Sequence, residues 1–183
     1  MLHSQESPIQ RLNQVFDVDQ LIDLPWDIWS PILDKTERQL CLTHPANISG
    51  KERLTFGNGK LADSQREEPE FSEFLEELKN HYVYSVYKKV QVMGDNLGVG
   101  IGRVRYMMLY PTTCLSYHID ADEFRFHIPL QTNPKAMFII DDKVYRMSEV
   151  GHVYKLQTNV WHTAVNASLN QPRLHLVFST FQK

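Results

Sequence analysis

The strongest constraint on the fold of this chain is a change of hydrophobic period at Gly102. Beyond it, apolar residues recur at every second position in short runs near 102–110, 115–119, 124–130, 136–141, 143–148, 151–156, 160–166 and 172–180. The segments between them carry Pro-Thr-Thr, Asp-Ala-Asp-Glu, Thr-Asn-Pro, Asp-Asp, Ser-Glu-Val-Gly and Ser-Leu-Asn-Gln-Pro, all good turn formers. Eight short strands with little helix between them predict a jelly roll, in which two antiparallel sheets face each other.

The first hundred residues read differently. Residues 1–16 are polar and predict an irregular lead-in or a short edge strand. A helix is expected from Pro31 to Leu40, with Ser30 as its N-cap. The Gly-, Asn- and Pro-rich stretch from His44 to Pro69 predicts a long loop with one short strand at Arg53–Phe56 and a lid role. After Pro69, residues Phe71, Phe74, Leu75 and Leu78 fall at i, i+3, i+4 and i+7, the signature of an amphipathic helix. His81 to Val92 could continue that helix or turn to strand. Gly94, Gly98, Gly100 and Gly102 read as turn material rather than a phosphate loop, since no helix follows them. The expectation is one domain over 1–183, with 1–100 as helical and loop support packed on one outer face of a roll built by 101–183.

Alternation also sorts the side chains. Arg125 and His127 share one face of their strand, opposed by Phe124, Phe126 and Ile128. Arg173 and His175 share a face, opposed by Leu174, Leu176 and Phe178. His162, Ala164 and Asn166 align, opposed by Trp161 and Val165. With the apolar parity packed away, the polar parity has to line a pocket. Buried arginines and histidines need partners there, and a metal and an anion are the natural ones.

His118 and Asp120 stand two apart on an extended segment, so they point the same way. His162 follows 42 residues after Asp120, on a later strand. Two imidazoles and a carboxylate make the facial triad of non-haem Fe(II) oxygenases, which leaves metal positions open for cosubstrate and oxygen. Arg173, eleven residues beyond His162, would suit bidentate capture of a carboxylate. Hydrolase chemistry is excluded, because the chain has no nucleophile elbow.

A net charge of −3 offers no general attraction to nucleic acid or to anionic membrane. No apolar run approaches the roughly 20 residues of a membrane span. The first residues lack the pattern of a signal peptide. Cys41 and Cys114 are far apart and read as reduced thiols of a cytoplasmic protein, Cys114 as a small core residue.

The ordered series His-X-Asp, Arg-Phe-His-Ile-Pro-Leu-Gln-Thr-Asn-Pro, Trp-His-Thr-Ala-Val-Asn and Arg-Leu-His-Leu-Val resembles the Fe(II)/2-oxoglutarate dioxygenases, over about residues 102–180. Within them it is most similar to the aspartyl/asparaginyl β-hydroxylase-like branch, which includes amino-acid and proline hydroxylases. The resemblance implies a mainly β fold with some α, a double-stranded β-helix (cupin-like jelly roll) flanked by N-terminal helices. It implies Fe(II) held by His118, Asp120 and His162, 2-oxoglutarate held chiefly by Arg173 and contacted or flanked by Arg125 and His127, and O2 as oxidant. His175 and Asn166 are candidates for the surrounding shell. The aspartyl/asparaginyl β-hydroxylase itself has a glycine where this chain has Asp120, so the full triad looks more like the small amino-acid hydroxylases. The expected partner is a small-molecule or peptidyl amino-acid substrate, with no nucleic acid and no membrane. Two rivals share the roll: a cupin-type metal enzyme that needs no keto acid, and a non-catalytic binding module.

Overall fold

The computed structural model describes residues 7–33, 38–56 and 67–183. Its scaffold is a six-stranded antiparallel sheet. The strands are β1 (Ile9–Val15), β2 (Gln39–Cys41), β5 (Val99–Leu109), β7 (Phe124–Gln131), β10 (His152–Gln157) and β12 (Arg173–Gln182). They lie in the order β1-β10-β7-β12-β5-β2. Facing it is a four-stranded sheet of β6 (Thr113–Cys114), β8 (Ala136–Ile140), β9 (Lys143–Tyr145) and β11 (His162–Asn166), in the order β6-β11-β8-β9. Two further short strands, β3 (Thr43–His44) and β4 (Glu73–Phe74), pair with each other. This is the jelly roll that the alternating second half predicts.

Period-two patterning gives the large sheet one apolar face and one mixed face. Even-numbered residues of β7 and β12 (Phe124, Phe126, Ile128, Leu174, Leu176 and Phe178) pack outward beneath the helices. The opposite face carries the polar parity and looks toward the small sheet. There a second, smaller cluster forms around Leu109, Phe138, Ile140 and Leu156. The β8–β9 hairpin turns on Asp141 and Asp142, both at positive φ (48° and 61°), the left-handed pair that a two-residue hairpin loop requires.

The outer face is covered by α1 (Val18–Ile22), α2 (Trp26–Leu33) and α3 (Tyr82–Asn96). Helix α3 buries Val83, Val86, Tyr87 and Val90 at i, i+3, i+4 and i+7, so this ambiguous stretch is helix. His81 caps it by accepting from Val83 N through Nδ1, 3.2 Å, while its Nε2 donates to Asp23 O, 2.7 Å. Among the described residues no helix is long and apolar enough to cross a membrane.

Several local expectations are corrected. The second helix begins at Trp26, with the Pro25 carbonyl accepting from Ile28 and Trp29, so Ser30 lies inside it and is not a cap. Gln39 and Leu40 are strand, and residues 34–37 lie outside the described residues. Arg53 belongs to a 3-10 turn, Gly50–Leu54, not a strand. The lid expectation falls largely on residues 57–66, outside the described residues. The segment after Pro69 is not an α-helix but two 3-10 turns, Glu68–Glu70 and Glu76–Leu78, flanking β4. Its four apolar residues are nevertheless all buried. Tertiary burial chose the inward side chains, while pairing with β3 took the backbone away from the helix.

Gly94 ends in α3, and Gly100 and Gly102 are strand; Gly98 alone makes the turn, at φ 76°. Gly102 is needed for another reason, since a Cβ there would stand 2.5 Å from a Glu68 carboxylate oxygen. The first hundred residues also do more than support the roll from outside, because β1 and β2 form both edges of its large sheet. Cys114 is exposed rather than in the core. Trp161, just before β11, is 51% exposed and stacks on Tyr117.

Candidate metal centre

The centre is assembled by backbone pairing. Just past β6, His118 N donates to His162 O (3.0 Å) and His162 N donates to His118 O (2.9 Å). Residues that exchange both hydrogen bonds place their side chains on the same face, and the two imidazoles meet with centroids 4.5 Å apart. Asp120 N donates to Thr158 O (3.0 Å), which turns the next same-side residue of the segment toward them.

Each imidazole is fixed in one tautomer. His118 Nδ1 lies 2.7 Å from Ser116 O and His162 Nδ1 lies 2.9 Å from Val160 O. A carbonyl only accepts, so each Nδ1 carries a proton, and Nε2 is the ring nitrogen left to face Asp120 and a metal. Those atoms stand 3.5 Å from Asp120 Oδ1 and 3.4 Å from Asp120 Oδ2. All three donors fall within 4.8 Å of one another, a group able to hold a metal ion. Asp120 Oδ2 is buried and receives no aligned hydrogen bond, which is what a ligand atom with an open lone pair looks like.

The carboxylate is held in place by Arg125. Its Nε and Nη2 donate to the two oxygens of Asp122, 2.6 and 2.9 Å, and its Nη1 forms an ion pair with Asp120 Oδ2 at 2.8 Å. Burial would push the Asp120 carboxyl up, but contacts with His118, His162 and Arg125 together hold it well below the usual carboxylate range. Asp122, which holds Arg125, was not singled out by sequence reasoning. Its signal is the three-residue spacing to Arg125.

Further into the roll, Arg173 is 4% exposed, and no carboxylate pairs with it among the described residues. Its Nε donates to His175 Nε2 (3.1 Å), its Nη2 lies 3.0 Å from His175 Nδ1, and the guanidinium lies 4.5 Å over the Phe138 ring. Burial pushes it down to about 9. His127 Nδ1 lies 3.4 Å from His175 Nδ1, while its buried Nε2 has no hydrogen-bond partner among the described residues. Burial, then the Arg173 charge, holds both imidazoles well below the ordinary histidine range, so they are neutral. A pocket lined by His118, His162, Arg125, His127, Phe138 and Arg173 joins the two ends.

Asn166 is placed elsewhere in role. Its Nδ2 donates to Leu109 O (3.0 Å) and Gln171 O (2.8 Å), and its Oδ1 accepts from Ser168 N (3.2 Å) and Asn133 Nδ2 (3.2 Å). These bonds tie β11 to β5 and to the turn before β12. Arg103 and Arg105 were also missed, although both share the inward parity of Met107 on β5.

The fold is similar to the viral collagen prolyl hydroxylase vCPH from Paramecium Bursaria Chlorella virus-1, at 6% identity over 97% of this chain and 98% of that one, with a TM-score of 0.54. It is similar also to the Pseudomonas putida prolyl-4-hydroxylase, at 11% identity over 96% and 93%, TM-score 0.52. A 2OG-Fe(II) oxygenase family oxidoreductase from Burkholderia pseudomallei is 18% identical over 53% of this chain, with a TM-score of 0.44; the chain spans only 55% of its length. At these identities the likeness is one of fold. No curated protein matches the sequence. The aspartyl/asparaginyl beta-hydroxylase family model matches residues 56–183, taking in the triad, Arg125, His127 and Arg173, and the chain belongs to that family.

Proposed function

We propose that this chain is an Fe(II)- and 2-oxoglutarate-dependent oxygenase that hydroxylates a C–H bond of an amino acid or of an amino-acid side chain. The observation that carries the reading is Arg173, a buried cation with no carboxylate partner among the described residues, in the same pocket as a His-Asp-His triad. A buried charge of this kind costs several kcal/mol unless a counter-ion meets it, and the far carboxylate of a keto acid does so.

The residues fit both groups. His118, Asp120 and His162 would hold the iron on one side and leave its other positions toward the pocket. Arg173 would pair with the distal carboxylate of 2-oxoglutarate, and His127, whose Nε2 has no hydrogen-bond partner among the described residues, lines the same pocket. Bound together with O2, iron and the keto acid supply the oxidation that hydroxylates substrate and releases succinate and carbon dioxide. The protein's part is positional. Asp122 holds Arg125, Arg125 holds Asp120, and the Ser116 and Val160 carbonyls keep the two imidazoles turned to the metal. Phe138 and Leu156 line the same pocket with apolar surface and limit water there.

The test is succinate release from 2-oxoglutarate by the iron-loaded protein, with each proteinogenic amino acid offered in turn. Release that depends on Fe(II) and is abolished in His162→Ala is the expected result. Metal binding with no consumption of keto acid would replace this reading with a cupin-type enzyme. A protein that binds neither would be a binding module.

A further inference from the structure

The far end of the pocket is crowded with hydrogen-bond donors that face one another. Arg173 and His175 stand two apart on β12, both buried. Nε and Nη2 of the guanidinium, the pair of donors that a carboxylate takes side-on, lie 3.1 Å from His175 Nε2 and 3.0 Å from His175 Nδ1. A guanidinium only donates, and a neutral imidazole has one acceptor nitrogen and one N–H. With Nε2 accepting from Nε, the His175 proton sits on Nδ1 and faces Nη2, a second donor. Reversing the tautomer moves the conflict to Nε. The other neighbour of that proton is His127 Nδ1, 3.4 Å away. If His127 Nδ1 accepts it, the His127 proton is left on Nε2, which is buried and has no hydrogen-bond partner among the described residues. In either tautomer of His175, one buried donor faces another.

The same end is short of room. The pocket runs from His118 and His162 to Arg173, yet the space within it open to water is about 40 Å³. That holds about three waters at roughly 10–15 Å³ each. A dicarboxylate reaching from the triad to Arg173 needs more, so the far end has to open. Arg173 lines the pocket and His175 does not, so the two donors on the ring are turned away from the cavity. The sheet leaves a soft wall beside them. His175 pairs with Met107 on one side and with Pro129 on the other, and Met107 brings a flexible thioether to the pocket lining.

Resting on the oxygenase reading, we propose that His175 decides which anions Arg173 accepts: it stands in for the cosubstrate's distal carboxylate in the empty protein, and the contact breaks when that carboxylate arrives. A carboxylate offers an acceptor to each of the two donors and removes the conflict. A keto acid held at the triad presents its far carboxylate at high effective concentration, whereas a free monocarboxylate has to displace the ring unaided. The stand-in therefore hinders a chelating dicarboxylate little and keeps small anions off the buried cation.

The experiment follows the Arg173 Nε–Hε resonance and the His175 ring nitrogens in full-length protein, labelled with 15N in arginine and histidine and loaded with Zn(II), where no turnover occurs. Arg173→Lys and His175→Gln assign the signals. In the wild-type protein, 2-oxoglutarate is expected to move both residues with one dissociation constant, and acetate in large excess is expected to move neither. In His175→Leu the side edge of Arg173 is free. Acetate should then move Arg173, and 2-oxoglutarate should bind roughly 3- to 10-fold more tightly, the worth of one hydrogen bond that no longer competes. The wild-type titration stands whether or not the leucine variant folds. A His175 ring that stays in place while Arg173 shifts would overturn the proposal, as would weaker 2-oxoglutarate binding in His175→Leu, since the ring would then be a fixed support. Acetate that moves Arg173 equally in both proteins would overturn it too. If 2-oxoglutarate moves neither residue, the oxygenase reading itself has failed, and the inference falls with it.

Discussion

The two ends of the pocket hold arginine in opposite ways. At the metal end, Arg125 is matched by Asp122 and Asp120, and every strong charge has its partner. At the far end, Arg173 is more deeply buried, but its neighbours are two neutral imidazoles and the face of Phe138. Burial acts on both guanidiniums alike. It is outweighed at Arg125, which is held above the ordinary range, and unopposed at Arg173. One end is therefore a framework completed within the fold, and the other a charge deficit that only a ligand completes. A buried cation kept without a partner lowers the stability of the empty protein, and a binding function is the reason to keep it.

That contrast can be broken most severely at the metal. His162→Ala removes a ligand outright and should cost at least the roughly 10- to 100-fold in metal affinity that loss of an outer partner costs, read by competition with a chelating dye. The next effect tests the two arginines by sign. Arg125→Met leaves Asp120 and Asp122 buried and unpaired and should destabilise the metal-free protein by about 3–5 kcal/mol in denaturant melts. Arg173→Met removes a charge that nothing in the fold needs and should stabilise the same protein by about 1–4 kcal/mol. Equal signs would dissolve the distinction. The same substitution should raise the KM for 2-oxoglutarate by roughly 10- to 100-fold with a smaller effect on metal affinity.

The smallest effect is a pH dependence. An unfolded histidine takes up its proton near pH 6.5. Burial, then Arg173, holds His127 and His175 below that in the fold, so the folded protein binds fewer protons than the unfolded chain. Their contribution is undiminished above pH 6.5 and is lost as pH falls below it, by roughly 1.4 kcal/mol per pH unit for each group. His127→Gln should make the acid limb of a stability–pH curve shallower by one such group.

The roll and the triad were readable because both rest on strand alternation, which depends only on which residues share a parity. The eight expected segments recur as strands, apart from 115–119, where the pairing shrinks to β6 and the His118 bridge. Parity also placed Arg125, His127, Arg173 and His175 on one face before any contact was known. The first hundred residues were harder because their helical signals compete with tertiary pairing. Phe71, Phe74, Leu75 and Leu78 have helical spacing and all are buried, yet Glu73 and Phe74 pair as strand with Thr43 and His44. The true helix, α3, is rich in valine and tyrosine, residues of high strand propensity that mask its period. Asp122 and Arg105 depend on the path of a loop and on cross-strand neighbours, neither of which a single segment displays.

The central claim is that metal end and cation end together bind one keto acid. Its most direct test is an anaerobic titration of the purified protein with Fe(II) and then 2-oxoglutarate, following the visible metal-to-ligand charge-transfer band. A band that needs both additions, disappears in His162→Ala and requires far more 2-oxoglutarate in Arg173→Leu is the predicted result. Tight Fe(II) binding with no band at any concentration of keto acid, or a band whose saturation is unchanged in Arg173→Leu, would contradict it.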